Sequence, residues 1–246
     1  MRKPALLLFC AVAFAASLPS AAWADLARGR QAYQKKNYKL ALTELSPEAK
    51  RGKPEAMYLL GKMYAEGQGI ERDDAQAFTW FQKAADANYA PAQGMLGMFY
   101  AQGRGAARDN TKSIEWARRA AENGDALSQY MMGVRSLDGL GVAHSPDDAL
   151  AWFGSAAEQN FPLAQYALAI LIGFGPLAQG TDDQARLFRI DSAKWLMLAI
   201  RQHSPEVPNG QARLDELKKR MQPKEILAAE ARVRNWRPAP QKKSSS

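Results

Sequence analysis

One short pattern recurs through the middle of the chain at a constant spacing of 36 residues. Its most regular position is a small residue that follows a leucine or methionine, and it is occupied by Gly61, Gly97, Gly133 and Ala169. A period between about 20 and 50 residues is typical of repeat proteins, in which each unit covers only its neighbours. The chain is therefore predicted to form a solenoid whose function lies on an extended surface.

Each unit carries two amphipathic stripes with the i, i+3, i+4, i+7 spacing of one helix face. In the first copy they consist of Met57, Leu60, Gly61 and Tyr64, followed by Ala77, Trp80, Phe81 and Ala84. Between the stripes stand paired glycines, which permit the positive φ that ends a helix, and then an Asp or Ser at the expected N-cap. These residues are Gly67 and Gly69, Gly103 and Gly105, Gly139 and Gly141, with the caps Asp73, Asp109 and Ser145. Every unit is therefore predicted to be a helix-turn-helix.

The combination of these features resembles the Sel-one-like repeat (SLR) family, which is related to the tetratricopeptide repeats. The shared hallmarks are the leucine-glycine pair, the tyrosine, the paired glycines, the tryptophan and the double alanine, which coincide in three consecutive copies over 54–160. The resemblance continues more weakly to Arg201. It implies an all-α fold, a right-handed superhelical solenoid of helix-turn-helix repeats, and it also implies a bacterial setting and an adaptor role.

The flanks depart from the 36-residue pattern and define the expected domains. These are a signal peptide over 1–24, a degenerate N-terminal helical repeat over 25–53, a solenoid of about four units over 54–203, C-terminal capping helices over 204–237, and a disordered tail over 238–246. In the fourth unit Trp195 lies 43 residues after Trp152, so about seven residues are inserted within 176–192. Thr181 and Gln184 fit a capping box that opens a longer second helix, and a loop is the alternative.

The first 24 residues have the organisation of a secretory signal. Arg2 and Lys3 precede an apolar run of 14 residues from Ala5 to Leu18, and small residues precede Asp25. We expect cleavage after Ala24 and a periplasmic location. The single cysteine of the chain, Cys10, lies in the removed segment, so the mature protein is expected to be stabilised by packing without disulfides.

The net charge of +8 is concentrated at the C-terminus. Nine basic and two acidic residues occur from Lys218 to Ser246, whereas the repeats are nearly neutral. Two interpretations fit this basic end: a solvated terminus that keeps the protein soluble, or a weak contact with an anionic membrane surface. A nucleic-acid partner is not expected for an exported chain with a neutral body.

No residue constellation in the sequence indicates catalysis, a metal site or a cofactor. The paired carboxylates Asp73–Asp74 and Asp147–Asp148 stand at the start of second helices, where they complement the helix dipole and cap free amides. A third pair, Asp182–Asp183, has the same composition. His144 and His203 are the only histidines, and both are expected in loops. The sequence therefore predicts a protein without enzymatic activity.

The candidate binding surface follows from the stripe of the first helices that should face the inside of the superhelix. The exposed positions recur at Tyr58, Gly94, Tyr130 and Tyr166, and again one turn later. The predicted partner-binding groove consists of Tyr58, Lys62, Met98, Tyr130, Val134, Tyr166, Ile170 and Phe174. Its apolar stretch in the third and fourth copies is typical of an interaction site. The alternative is that the capping helices bury this stretch as core.

The sequence thus favours a scaffold, adaptor or regulator that binds a protein segment in a concave groove in the bacterial periplasm. A monomer is expected, and the identity of the protein partner stays open. One alternative is an enzyme acting on cell-wall or β-lactam-type substrates, which the resemblance suggests through cysteine-rich relatives whose cysteines this chain lacks. The other is an envelope-associated assembly factor held near anionic lipid by the basic C-terminus.

Overall fold

The protein is an all-α repeat solenoid. The computed structural model describes residues 20–175, 183–205, 207 and 209–240, and all regular secondary structure within these ranges is helical. The helices are α1 (Ser20–Gln34), α2 (Tyr38–Lys50), α3 (Pro54–Glu66), α4 (Asp74–Asp86), α5 (Ala90–Gln102), α6 (Asn110–Glu122), α7 (Ala126–Asp138), α8 (Pro146–Glu158), α9 (Pro162–Phe174), α10 (Asp183–Arg201), α11 (Gly210–Lys218) and α12 (Pro223–Asn235). The first to fourth units are α3–α4, α5–α6, α7–α8 and α9–α10, and neighbouring helices pack along the chain.

In the first three units, the predicted glycine turns end the first helix and the predicted polar caps begin the second helix. Gly67, Gly103 and Gly139 end the first helices with φ of 67°, 68° and 68°. The second glycine of each pair packs against the preceding unit, and a Cβ on Gly105 would lie 2.2 Å from the carbonyl oxygen of Asp74. Backbone contact between units therefore requires glycine here. The predicted N-cap side chains all accept backbone hydrogen bonds, and they are Asp73, Asp109 and Ser145.

A ladder of buried amides connects successive units. Gln93, Gln129 and Gln165 each donate to a backbone carbonyl eight residues earlier, at 3.2, 3.0 and 3.2 Å. Their side-chain oxygens accept from residues just after the second helix of their own unit, where the donors are Asn123, Gln159 and Gln202 at 2.8, 2.7 and 2.9 Å. Because each buried amide has partners on both sides, the ladder fixes the register between units without leaving an unsatisfied polar group.

The N-terminal helix pair α1–α2 packs on the first unit. Helix α1 spans the predicted cleavage point after Ala24. Beyond that point, Ala32 is buried and Leu26 and Tyr33 contact the same apolar cluster. Residues 1–19 of the predicted signal peptide lie outside the described residues.

The C-terminal end departs from the repeat: a longer second helix, α10, is followed by two additional helices, α11 and α12. Of the two alternatives for the insertion, the structure has the longer second helix, because α10 runs for 19 residues; Thr181 lies outside the described residues. Helices α11 and α12 then pack on α9 and α10. An ion pair between Arg189 and Glu225, 3.7 Å apart with both side chains nearly buried, joins α10 to α12.

The chain leaves α12 along the surface of α8. The Trp236 indole nitrogen donates to a Glu158 carboxylate oxygen at 2.9 Å, and the Ala239 amide donates to the Glu158 carbonyl at 2.7 Å. The Ala239 bond joins the start of the segment predicted as a disordered tail, 238–246, to α8. Residues 241–246 lie outside the part of the chain that the structure describes.

Candidate functional site

A pocket of about 330 Å³ opens between α5 and α7, with α6 behind it. We call it the second-unit pocket. Its walls are mainly apolar, and its lining residues include Tyr58, Gly94, Met95, Gly97, Met98, Ser113, Ala117, Asp125, Leu127, Ser128, Met131 and Arg135. It lies on the first-helix face on which the sequence predicts a binding groove.

In the first and third units, aromatic rings occupy the equivalent space. The Tyr58 ring packs against the rings of Phe81 and Tyr89, with centroid distances of 6.0 and 5.4 Å. These three side chains come from the first helix, the second helix and the start of the next unit. They form a filled seam between consecutive units.

The third unit repeats this arrangement 72 residues later. The Tyr130 ring packs against Phe153 and Phe161, both with centroid distances of 5.8 Å. In the second unit the same three positions hold Gly94, Ala117 and Asp125. The pocket therefore exists because one unit lacks all three rings that close the seam in its neighbours.

The rim of the pocket is apolar and exposed. Met98, Leu127 and Met131 have relative exposures of 45%, 44% and 42%, unusually large for side chains of this type. An apolar cluster of this kind around a concavity commonly marks an interaction site. Methionine side chains are flexible and polarisable, so such a rim adapts to the shape of a partner.

Asp125 places a carboxylate inside this apolar setting. Its Oδ2 atom caps α7 by accepting a hydrogen bond from the Ser128 amide at 2.8 Å. Burial raises the pKa of the Asp125 carboxyl, against the hydrogen bonds from Ser128 that lower it. A Cβ on Gly94 would lie 2.7 Å from the Ser128 hydroxyl and 3.3 Å from Asp125 Oδ2. Glycine at position 94 therefore leaves the carboxylate accessible from the pocket.

Comparison with known proteins identifies the repeats. The model of the Sel1 repeat family matches residues 54–89, 90–125, 126–161 and 162–185, more than half of the chain. The chain belongs to the Sel1 repeat family. The first three matches have the 36-residue length of the predicted units and confirm the SLR resemblance.

Solved structures with similar folds come from several bacteria. A Sel1 repeat protein from Oxalobacter formigenes is 23% identical with a TM-score of 0.65, and the alignment covers 85% of this chain and 82% of that protein. A protective antigen of uropathogenic Escherichia coli with an SLR fold is 26% identical with a TM-score of 0.62, and the alignment covers 86% of this chain but 46% of that protein. An immunity protein from Pseudomonas aeruginosa is 19% identical with a TM-score of 0.52, covering 91% and 90%. Among curated proteins, none matches the sequence.

The structure divides the predicted groove residues of the Sel1 units into two sets. Tyr58 and Met98 line the second-unit pocket, and Lys62 lies beside Tyr58, with its Nζ 6.0 Å from that ring centroid. The third- and fourth-unit residues Tyr130, Val134, Tyr166 and Phe174 are half-buried and pack against the C-terminal core, and Ile170 is half-buried as well.

Helix α11 covers part of the predicted strip, since the Arg213 guanidinium lies 5.4 Å from the Phe174 ring centroid. Much of the apolar stretch in the third and fourth units therefore packs in the seams or beneath the cap. The accessible apolar concavity lies one unit earlier, around Gly94. Tyr58 and Met98 of this concavity belong to the predicted groove, but its main signal in the sequence is the loss of three rings at a fixed register.

The acidic pair Asp73–Asp74 takes a structural role, and Asp147 and Asp148 lie in the first turn of α8. Asp73 caps α4, and Asp74 makes two hydrogen bonds with Arg104, at 2.6 and 3.1 Å. Hydrogen bonds from Arg104 and Arg72 lower the pKa of the Asp74 carboxyl to about 2. In the ranges that the structure describes, no three His, Cys, Asp or Glu side chains meet as metal ligands do. Nor is any helix there long and apolar enough to cross a bilayer.

Proposed function

We propose that the protein is a non-enzymatic adaptor or regulator of the bacterial periplasm that binds a protein segment in a groove along the face of its first helices. Sel1 repeat proteins are generally protein-protein interaction scaffolds. The single observation that carries the proposal is the second-unit pocket, because Met98, Leu127 and Met131 are exposed together around it.

The periplasmic part of the proposal is supported by the N-terminal sequence. A basic start, an apolar run and small residues before Asp25 are the parts of a secretory signal. Intact-mass measurement of protein recovered from the periplasm should give a mature N-terminus at Asp25. A chain that retains Met1 in that fraction would contradict this location.

Site-specific photocrosslinking in the periplasm of the producing bacterium tests the binding face. A photoreactive phenylalanine analogue replaces Met98 in one variant and Leu227, an exposed residue of α12 with a relative exposure of 63%, in a matched control. We expect a discrete protein adduct from position 98 and none from position 227. The same adduct from both positions, or none from position 98, would contradict binding at this face.

A second candidate function is supported by the surface of α12. Leu227 is the most exposed large apolar residue among those described, and Lys224 and Arg234 on the same helix are exposed as well. An apolar side chain among basic ones suits contact with anionic lipid. The envelope-assembly hypothesis predicts binding to phosphatidylglycerol vesicles that is lost in high salt and reduced by Leu227→Glu. Equal binding to neutral vesicles would contradict it.

A further inference from the structure

We propose that the second-unit pocket receives a tryptophan or tyrosine side chain from the bound protein segment. This inference rests on the proposed function and specifies its central contact. It is independent of the identity of the partner, because the chain itself contains two filled copies of the same space.

The filled copies show what the pocket accommodates. Around Tyr58 and around Tyr130, a tyrosine ring from a first helix is held between two further rings. The second unit keeps the same helix lengths and cap positions but has Gly94 in place of the tyrosine. The space left by the three missing rings is therefore open to an aromatic side chain that enters from outside. Aromatic side chains also contribute the most apolar contact area per residue at interfaces.

The rim favours an aromatic guest over an aliphatic one. The thioethers of Met98 and Met131 stand exposed at the entrance, and sulfur-aromatic contacts add favourable energy beyond burial. Tyr58 forms part of the wall and presents another aromatic ring.

The polar groups of the pocket favour an uncharged guest that carries a hydrogen-bond donor. Asp125 and Arg135 both line the pocket, so its own charges balance. The Arg135 guanidinium is already engaged in part, since one of its terminal nitrogens donates to the Leu140 carbonyl at 3.3 Å. The Asp125 carboxylate, held in an apolar setting, gains from an additional donor. The tryptophan N–H and the tyrosine O–H supply such a donor at the end of an otherwise apolar side chain.

Methionine methyl NMR on the mature full-length chain tests the proposal directly. The probes are N-acetyl-tryptophanamide and N-acetyl-tyrosinamide, with the phenylalanine and leucine amides as controls. We expect the tryptophan and tyrosine probes to shift the methyl signals of Met98 and Met131 and to leave those of Met197 and Met221, near the C-terminal cap, unchanged. The phenylalanine amide should bind about fivefold more weakly, the usual effect of one lost hydrogen bond of about 1 kcal/mol.

A second test fills the pocket with the residues that occupy the equivalent space in the neighbouring units. Gly94→Tyr and Ala117→Phe install the residues found at the equivalent positions of the first and third units, and Ser128→Ala installs the alanine found at the equivalent positions 92 and 164. We expect the tryptophan probe to lose at least tenfold in affinity for this variant. Met98→Lys, which installs the residue found at the equivalent position 62, changes only an exposed side chain and should weaken probe binding several-fold if the triple variant does not fold. Leu227→Ala is the control that should bind as the unchanged protein does.

The outcomes separate this proposal from the proposed function. The pocket proposal is wrong if the leucine amide binds as tightly as the tryptophan amide, or if neither Met98→Lys nor a folded triple variant weakens the probe. If the crosslinked protein adduct at the first-helix face survives in the folded triple variant, the scaffold function stands and the pocket proposal fails. If the amides bind as expected but position 98 gives no protein adduct, the pocket is an aromatic site and the scaffold function fails.

Discussion

The two ends of the solenoid have separate apolar cores. The main N-terminal cluster contains buried residues from Ala32 to Leu96, a small cluster beside it contains Ala65, Ala77, Phe81 and Phe99, and the C-terminal cluster contains buried residues from Ala149 to Ala229. The buried apolar side chains of α6 and α7, which are Ala120, Ala121 and Met132, belong to none of these clusters. The interruption coincides with the second-unit pocket, where the seam lacks its rings.

This difference shows that the units share a backbone scheme without sharing a core. The amide ladder and the glycine turns continue through the second unit. The ring contacts do not. In a solenoid each unit contacts only its neighbours, so one seam can lose apolar packing while the rest of the array keeps it. We infer that the second unit is locally less stable because it has an accessible surface where its neighbours have packed rings. Functional sites commonly lower stability in this way.

The largest expected loss of stability comes from removing a ring in the third unit, where the seam is filled. Phe153 is buried and its ring lies directly over Gly133, where an added Cβ would come within 2.5 Å. Phe153→Ala should cost about 4 kcal/mol of unfolding free energy, because it leaves a cavity in the core. Chemical denaturation followed by circular dichroism measures this cost.

The matched control is the equivalent position in the second unit, which already holds Ala117. Ala117→Gly should cost about 1 kcal/mol, the usual helix penalty of glycine. Similar losses at positions 117 and 153 would mean that the two seams are packed equally well and that the comparison is wrong.

Most of the fold was predictable from the sequence because its signals are local and repeated. The glycines at 67, 103 and 139 and the caps at 73, 109 and 145 each predict one turn, and agreement between three copies makes the prediction robust. Asn88 and Asn160, just beyond the ends of second helices, adopt positive φ of 57° and 66°, a conformation in which asparagine is enriched. Family membership confirms this interpretation.

The candidate site was only partly predictable, because exposure depends on contacts between distant residues. Tyr130 and Tyr166 have the spacing of an exposed stripe, yet both are half-buried against the C-terminal core. Their partners include rings more than 20 residues away, such as Phe153 for Tyr130. In the aligned repeats, Gly94, Ala117 and Asp125 visibly replace the aromatic residues of the neighbouring units. The open pocket that results is apparent only in the structure, where these three positions come together.

The next largest expected loss of stability comes from replacing Trp236, which packs at the edge of the C-terminal cluster. The Trp236 ring packs edge-on against Trp195 at 6.1 Å, but the side chain is only half-buried. Trp236→Ala should therefore cost about 2 kcal/mol, less than the 3 to 5 kcal/mol typical of a fully buried aromatic. Trp236→Phe, which keeps a ring and loses the bond to Glu158, should cost about 1 kcal/mol. A denaturation midpoint unchanged in both variants would mean that this segment contributes nothing to the cap.

The smallest expected effect tests how the second unit remains attached to the filled unit before it. Arg104 reaches back from the loop between α5 and α6 and donates to the Ala65 carbonyl at 3.0 Å as well as to Asp74. Its guanidinium also stacks over the Phe99 ring, 4.4 Å from the centroid. This contact joins the unit that carries the pocket to the filled unit before it.

The pH dependence of stability follows from the carboxyl of Asp74. Its folded pKa of about 2 lies below the usual unfolded value near 4, so the ion pair stabilises the fold above that unfolded value and the contribution is lost as the pH falls towards 2. Because the pair is partly exposed to solvent, we expect it to contribute under about 1 kcal/mol. The unfolding free energy of the unchanged protein should therefore fall more between pH 5 and pH 2.5 than that of Arg104→Gln or Asp74→Asn, and low salt should enlarge the difference. Parallel curves for all three proteins would show that Arg104 acts through its stacking on Phe99 and its bond to Ala65 alone, and that the attachment of the second unit is not electrostatic.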